Sequence, residues 1–344
     1  MMPAFNNGLK ISVCIPVYNC AEFLGQALDS ILPQTDDRIE VIVYDGGSTD
    51  GTPELMSYYS KAWANLRYHK ESQRGGIDAD LATCVGFAQG EYCWLFSGDD
   101  VMRPGAIERA LNWLNEKHDI LICNHTICNK EMVVSHVHTV LQPDQAFAAN
   151  LANKEERLEW FRRAVTSEAY FSFLSGLIVR REKWHNGTLH DAFNRSCWGH
   201  VARVFGLISS GLKVCYVAEV WLDQRGENDS FMDKGIVNRI RIGIEGYHML
   251  ADNFFGHDSI EAFHIRRVIR HEFPLMTMLY TKVQCHLRPE KEDRVLLDRL
   301  AKLAYCDNSP AILADRLIYL ATSYRLFVVV RFVYRAYKKI RRIL

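Results

Sequence analysis

The chain has 344 residues, 48% apolar and 24% charged, and its 41 Lys and Arg balance its 41 Asp and Glu. That length holds one large α/β domain plus a smaller second unit, and the composition excludes global disorder. The even charge names no partner, and the neutral N-terminal region argues against nucleic acid.

Residues 11–17 read as a buried strand. Asn19 is placed to cap a helix with Phe23, Leu24, Ala27, Leu28 and Ile31 on its apolar face, and Glu22 completes a capping box. Residues 40–44 form a second strand ending at Asp45, and Thr52 with Pro53 opens the next helix. Strands follow at 66–69, 92–96 and 119–124, with helices near 79–88 and 104–116 between them. Strand–helix alternation at this spacing predicts a Rossmann-like α/β fold, a mostly parallel sheet with helices on both faces. Ligands in such sheets sit at the carboxyl ends of strands.

Residues 133–153 read as a loop-rich connection. Beyond them the pattern predicts a helix at 154–165, a strand at 173–179, a helix at 200–210 and two strands at 213–217 and 218–224. After Lys234 the chain reads as helical, near 235–254, 258–283, 289–305 and 310–342. Domains are therefore expected at 1–232 and 233–344.

The ten cysteines include no CxxC pair. Cys14, Cys93, Cys123 and Cys215 lie in apolar runs, as small core residues do. Cys123, His125 and Cys128 are read as core and loop residues, because no second ligand pair follows at zinc-finger spacing. Reduced thiols and the absence of an apolar stretch in the first ten residues lead to the expectation of a cytoplasmic protein. No apolar run approaches the roughly 18 residues of a membrane span.

Three polar segments fall at strand ends: ISVCIPVYN (11–19), YDGGSTDGT (44–52) and EYCWLFSGDD (91–100). In this order and spacing they resemble the inverting family-two glycosyltransferases of GT-A fold, over roughly residues 10–230. The resemblance implies a nucleotide-sugar donor whose diphosphate is neutralised by Mg²⁺ or Mn²⁺ on hard oxygen ligands. Where the family carries D-x-D, this chain has Ser97 first. Asp99 is then the expected metal ligand, with Asp100 directed to the sugar or behind the metal; a helix cap before Arg103 and Pro104 is the competing reading. Pro16, Val17 and Tyr18 match the family's edge against the nucleotide base, and Asp45 matches its base-binding carboxylate. Ser48, Thr49 and Asp50 are read as structural, capping the following helix. Asp78 is expected on ribose or sugar hydroxyls and Arg74 on phosphate, or both are solvated surface charges.

An inverting transfer needs a base for the acceptor hydroxyl. The family's Glu-Asp, with Gly eleven residues after the Asp, is matched by GHVARVFGLISSG (199–211), which puts His200 at the Asp position. Asp191 is the fallback. In RGENDSF (225–231), Arg225 is expected to clamp the diphosphate, and Glu227 and Asp229 to hold acceptor hydroxyls, unless this is a solvated turn. FSFLSGLIVRREKW, WGH, RGENDSF and FSGDD look like the abequosyltransferase branch, which adds a dideoxy sugar to a lipid-linked O-antigen precursor. The resemblance thus implies an undecaprenyl diphosphate-linked saccharide acceptor.

The last twenty residues carry seven basic groups and no acidic one. Leu326, Val330, Val333, Tyr337, Ile340 and Leu344 make one helical stripe, with Arg331, Arg335, Lys338, Lys339 and Arg342 opposite. That pattern is an amphipathic anchor for the anionic inner face of the cell membrane, or a helix docked on the protein itself. The rival reading from another class is a non-catalytic nucleotide-sugar-binding or scaffolding protein, since Ser97 and His200 replace commoner acids. A dehydrogenase is disfavoured because no G-x-G-x-x-G follows the first strand.

Overall fold

The computed structural model describes residues 8–290, 292–306, 309–323, 333–335 and 337. The chain divides into two compact units, Met1–Glu227 and Asn228–Leu344.

In the first unit the elements run β1 (Ile11–Val17), α1 (Ala21–Ile31), β2 (Ile39–Asp45), α2 (Thr52–Ala62), β3 (Leu66–Lys70), α3 (Ile77–Gly86) and β4 (Tyr92–Leu95). They continue with β5 (Val101–Met102), α4 (Ala106–Leu114), β6 (Ile120–Cys128), β7 (Val134–Val137), β8 (Phe147–Asn150) and α5 (Lys154–Arg163). The last are β9 (Leu177–Arg180), α6 (Arg181–Asn186), α7 (Gly199–Phe205) and β10 (Lys213–Gln224). The sheet order is β3-β2-β1-β4-β9-β6-β10-β5, with β7 on β6 and β8 on β10. β1 and β2 are buried along their whole length, as strands of a sheet covered on both faces are. β3, β2, β1 and β4 pair in parallel, whereas β9 enters antiparallel between β4 and β6. Trp94 and Trp221 pack at 6.0 Å in the core between β4 and β10.

Several local expectations are corrected. Asn19 does not cap α1: it adopts a left-handed φ of 51°, and its side chain accepts from Thr49 N. Asp50 serves instead, taking the N–H of Ala21 at 3.0 Å, while Glu22 pairs with Lys130. The expected strand at 173–179 opens as a 3₁₀ turn, Leu174–Gly176, before β9. Residues 213–217 and 218–224 are one strand, bent by two register shifts between Val217 and Leu222. The helix at 200–210 ends at Phe205, with a 3₁₀ turn at Ile208–Ser210. The loop-rich 133–153 region contributes β7 and β8.

The second unit is helical: α8 (Ile236–Phe255), α9 (Ile260–Arg267), α10 (Ile269–Glu272), α11 (Leu275–Leu287), α12 (Arg294–Ala304) and α13 (Pro310–Ala321). The helix expected at 258–283 is three helices, with one break at Val268 and a second where Pro274 cannot continue α10 and stands at the N-cap of α11. Glu292 accepts the first N–H groups of α8, from Ile236 and Val237, at 3.0 Å each. The basic stripe at the C-terminus lies outside the described residues, apart from Val333, Arg335 and Tyr337. Among the described residues no helix is long and apolar enough to cross a membrane.

Candidate active site

The carboxyl ends of β1, β2 and β4 are adjacent, and glycines let their loops touch. Gly46 N donates to the Val17 carbonyl at 2.9 Å. A Cβ on Gly46 would lie 2.5 Å from Asp80 Oδ2, so no larger residue fits without moving that carboxylate. Gly98, between Ser97 and Asp99, approaches β1 so closely that a Cβ would meet Val17 Cγ1 at 2.8 Å and Cys20 Sγ at 3.1 Å. The loop after β4 is thereby held against the end of β1, beside Tyr18.

Tyr18 is 36% exposed, and the Arg74 guanidinium lies over its ring at 4.0 Å. The structure therefore brings together the two side chains expected at base and phosphate. Asp45 is fully buried: Oδ1 accepts from Ser48 N at 2.7 Å and Oδ2 from the Tyr68 hydroxyl at 2.6 Å. It organises the turn of its own loop, so a base N–H reaching it shares an occupied carboxylate.

After β4 the chain enters β5, not a helix. α4 starts later, behind Gly105 in a left-handed conformation and with no side-chain cap, so Asp99 and Asp100 are not its caps. Asp99 is half-buried and accepts from Ser97 Oγ. Asp100 is buried, its Oδ2 taking the Ser175 hydroxyl at 2.5 Å and its Oδ1 the backbone N–H of Arg225 at 2.9 Å. Burial, and then the Asp99 charge, push the Asp100 carboxyl up to about 8. Ser175 also accepts from Ser97 N at 2.9 Å, and its carbonyl takes the Trp94 indole N–H at 2.7 Å. One buried serine thus ties the Asp99 loop to the core.

Arg225 departs from expectation. Its guanidinium is buried, with Nε donating to the Asp99 carbonyl at 2.8 Å, Nη1 to the Lys130 carbonyl and Nη2 to Gln26 Oε1 at 2.5 Å. It also lies over Phe23. Each of its three guanidinium nitrogens donates to the protein, so here it braces the Asp99 loop instead of reaching outward. Asp78 is likewise committed: its two oxygens accept from Cys197 N at 3.1 Å and Gly199 N at 3.0 Å, holding the start of α7 where sugar hydroxyls were expected.

His200, in the first turn of α7, is 8% exposed, and its Nε2 is 3.2 Å from the Ser172 carbonyl. Burial lowers its pKa, opposed by the Asp78 charge and the carbonyls of Ser172 and Phe171. With Nε2–H given to Ser172, Nδ1 carries the lone pair. Asp191 is exposed in a separate 3₁₀ turn, Asp191–Phe193. Glu227 sits in a left-handed turn with φ 60°. In the second unit, Asp229 takes Phe231 N and pairs with Arg239, the structural use of a turn carboxylate.

Two site residues escaped sequence reasoning. Ser175 was hidden inside what read as a strand. Asp80, two residues past Asp78, has its carboxyl raised by burial and lowered by N–H groups of Gly75 and Gly76. Glycines on both sides of it, at 46 and 75, were the available signal.

Hard oxygen donors at a strand end fit a divalent ion of the Mg²⁺ or Mn²⁺ kind, which uses one or two carboxylates and takes its remaining ligands from phosphate and water. Asp99 is such a donor, and among the described residues it belongs to no cluster of three or more His, Cys, Asp or Glu side chains.

A profile described as "Glycosyl transferase family 2" matches residues 12–174. The chain is 30% identical over 258 residues to abequosyltransferase RfbV of Salmonella typhimurium, covering 72% of this chain and 76% of that one. It is 34% identical over 142 residues to an uncharacterized glycosyltransferase, RT0329, of Rickettsia typhi, covering 40% and 42% respectively. Among solved structures it is similar to residues 1–349 of S. aureus TarS in complex with UDP-GlcNAc. That match has a TM-score of 0.59 and 17% identity over 95% of this chain and 92% of that one. Mannosyltransferase PcManGT of Pyrobaculum calidifontis, in complex with GDP-Man and Mn²⁺, matches with a TM-score of 0.53 and 15% identity over 96% and 88%. At these identities the structural likeness establishes a shared GT-A fold.

Proposed function

Since the chain belongs to glycosyl transferase family 2, we propose that it transfers a sugar, with inversion, from a nucleotide-sugar to a lipid-linked saccharide in surface-polysaccharide or O-antigen synthesis. The observation that supports this reading is the packing of the Asp99 loop onto the end of β1 on either side of Tyr18, the arrangement that a metal carboxylate and a base-stacking ring would need. The similarity to an abequosyltransferase makes a dideoxyhexose the donor sugar to test first.

Tyr18 and the Pro16–Val17 edge receive the base, with Asp45 beneath them. Arg74, already over Tyr18, swings to the phosphates or sandwiches the base. Asp99 would hold a divalent ion, which when bound would neutralise charge on the departing diphosphate. Ser97, Ser175, Asp100 and Arg225 hold Asp99 in place, so that little reorganisation is needed when the donor binds. On the acceptor side, Nδ1 of His200 takes the hydroxyl proton, and the Asp78 carboxylate favours the imidazolium that forms. Asp191 remains the alternative base. The basic C-terminal stripe would keep the enzyme on an anionic membrane, where a lipid-linked acceptor resides.

The test is to incubate the enzyme with a panel of radiolabelled nucleotide-sugars, including dideoxyhexose donors, and extracted lipid-linked acceptors. Label should move into the lipid fraction with stoichiometric nucleotide release. Binding of a nucleotide-sugar without release would identify a scaffold and overturn the proposal.

A further inference from the structure

We propose that His125, His138 and Glu168 form a second metal site, one that takes a Zn²⁺-like ion and clamps the segment behind the Asp99 loop. Their ligand atoms lie within 4.8 Å of one another. His125 is on β6 and buried; His138 follows β7, its backbone N–H donating to the His125 carbonyl at 2.9 Å. Glu168 lies in the 3₁₀ turn Ser167–Tyr170.

His138 Nε2 is 3.2 Å from Glu168 Oε2 and 3.1 Å from Thr166 Oγ1. Two ligands on one tetrahedral Zn²⁺ with bonds of about 2.0–2.1 Å stand about 3.3 Å apart, so this pair already has the required spacing. The His125 ring lies 4.6 Å from that of His138 and 4.3 Å from Phe173, which shields the group with an apolar face. Both ring nitrogens of His125 are buried and lack a hydrogen bond of normal geometry, with the Gln224 side chain near by, and Glu168 Oε2, also buried, is held only as an ion-pair partner facing His138 Nε2. Buried polar atoms are rarely left so, and nitrogen and oxygen donors converging on one point are what a metal satisfies.

Two histidines and a carboxylate suit Zn²⁺, in contrast with the oxygen donor of Asp99. The plainer account is a His138–Glu168 ion pair beside a neutral core histidine, which binds no metal. The clamp has a consequence for the site already described. The same segment carries the Ser172 carbonyl against His200 and the Ser175 hydroxyl against Asp100, so a metal joining Glu168 to β6 fixes both.

Chelator-stripped full-length Asp99→Asn protein, which lacks the expected catalytic ligand, isolates the second site. After dialysis against Co²⁺ it should hold one equivalent, with the strong visible bands of a low-coordinate site and two paramagnetically shifted imidazole N–H resonances. Zn²⁺ should displace the Co²⁺ and raise the melting temperature. Adding Glu168→Gln or His125→Asn should weaken affinity at least about 10-fold and remove one shifted resonance in the histidine variant. No bound Co²⁺, or bound Co²⁺ with no shifted imidazole resonance, would overturn the proposal even if both added variants fail to fold.

Discussion

Replacing Arg225 with Met separates a loop brace from a phosphate clamp. Met keeps much of the stem over Phe23 but removes the donors to the Asp99 carbonyl, the Lys130 carbonyl and Gln26. The backbone bond from residue 225 to Asp100 survives, because it does not depend on the side chain. Hydrogen bonds from a charged donor are worth about 1.5–3 kcal/mol each, and acceptors left buried and unpaired add to the loss. Non-additivity within one cluster holds the sum to about 3–5 kcal/mol, below the total of three such bonds taken separately. For a unit of this size that lowers the melting temperature by on the order of 10 °C. Urea denaturation should show a lower midpoint with unchanged slope, and Mn²⁺ should be needed at higher concentration because the Asp99 loop is less well held. Stability within about 0.5 kcal/mol of wild type, with a tenfold loss of nucleotide affinity, would refute the brace and restore the clamp.

Tyr18→Ala should weaken nucleotide binding by about 1–3 kcal/mol, roughly 5- to 150-fold, with kcat less affected; unchanged affinity by titration removes the stacking role. His200→Ala should cut transfer about 10²–10⁴-fold without moving donor affinity. Since burial lowers the His200 pKa, the neutral base persists below the reference value of about 6.5, and activity should fall only as pH drops through that lowered value. A near wild-type His200→Ala rate alongside an inactive Asp191→Ala would move the base to Asp191. Removing residues 325–344 should release the enzyme from anionic vesicles while sparing transfer to a short soluble acceptor; a truncated protein that still co-sediments contradicts the anchor.

The parallel half of the sheet was legible because β1, β2 and β4 are short apolar runs bounded by polar turns, and both faces are buried. The antiparallel half was less so. Leu174–Gly176 has the composition of a strand but turns, because Ser175 is drawn to Asp100 and Ser97 across the core. β10 reads as two strands since its register shifts interrupt the alternation. Motif reasoning located the Asp99 loop through residues adjacent in sequence. It missed what long-range bonding decides: Arg225 and Asp100 meet across 125 positions, and Asp78 reaches Gly199 across 121. A charged residue in a matched motif gives no sign of whether its atoms face a ligand or the protein's own backbone.

The most direct test of the account is donor turnover as a function of added Mn²⁺, measured on chelator-treated wild type and on Asp99→Asn. Wild type should release no nucleotide in excess chelator and recover on adding Mn²⁺ or Mg²⁺. Asp99→Asn, folded by circular dichroism, should stay inactive at every metal concentration. Full turnover by wild type in excess chelator, or by Asp99→Asn with metal, would contradict a metal-dependent transfer centred on Asp99.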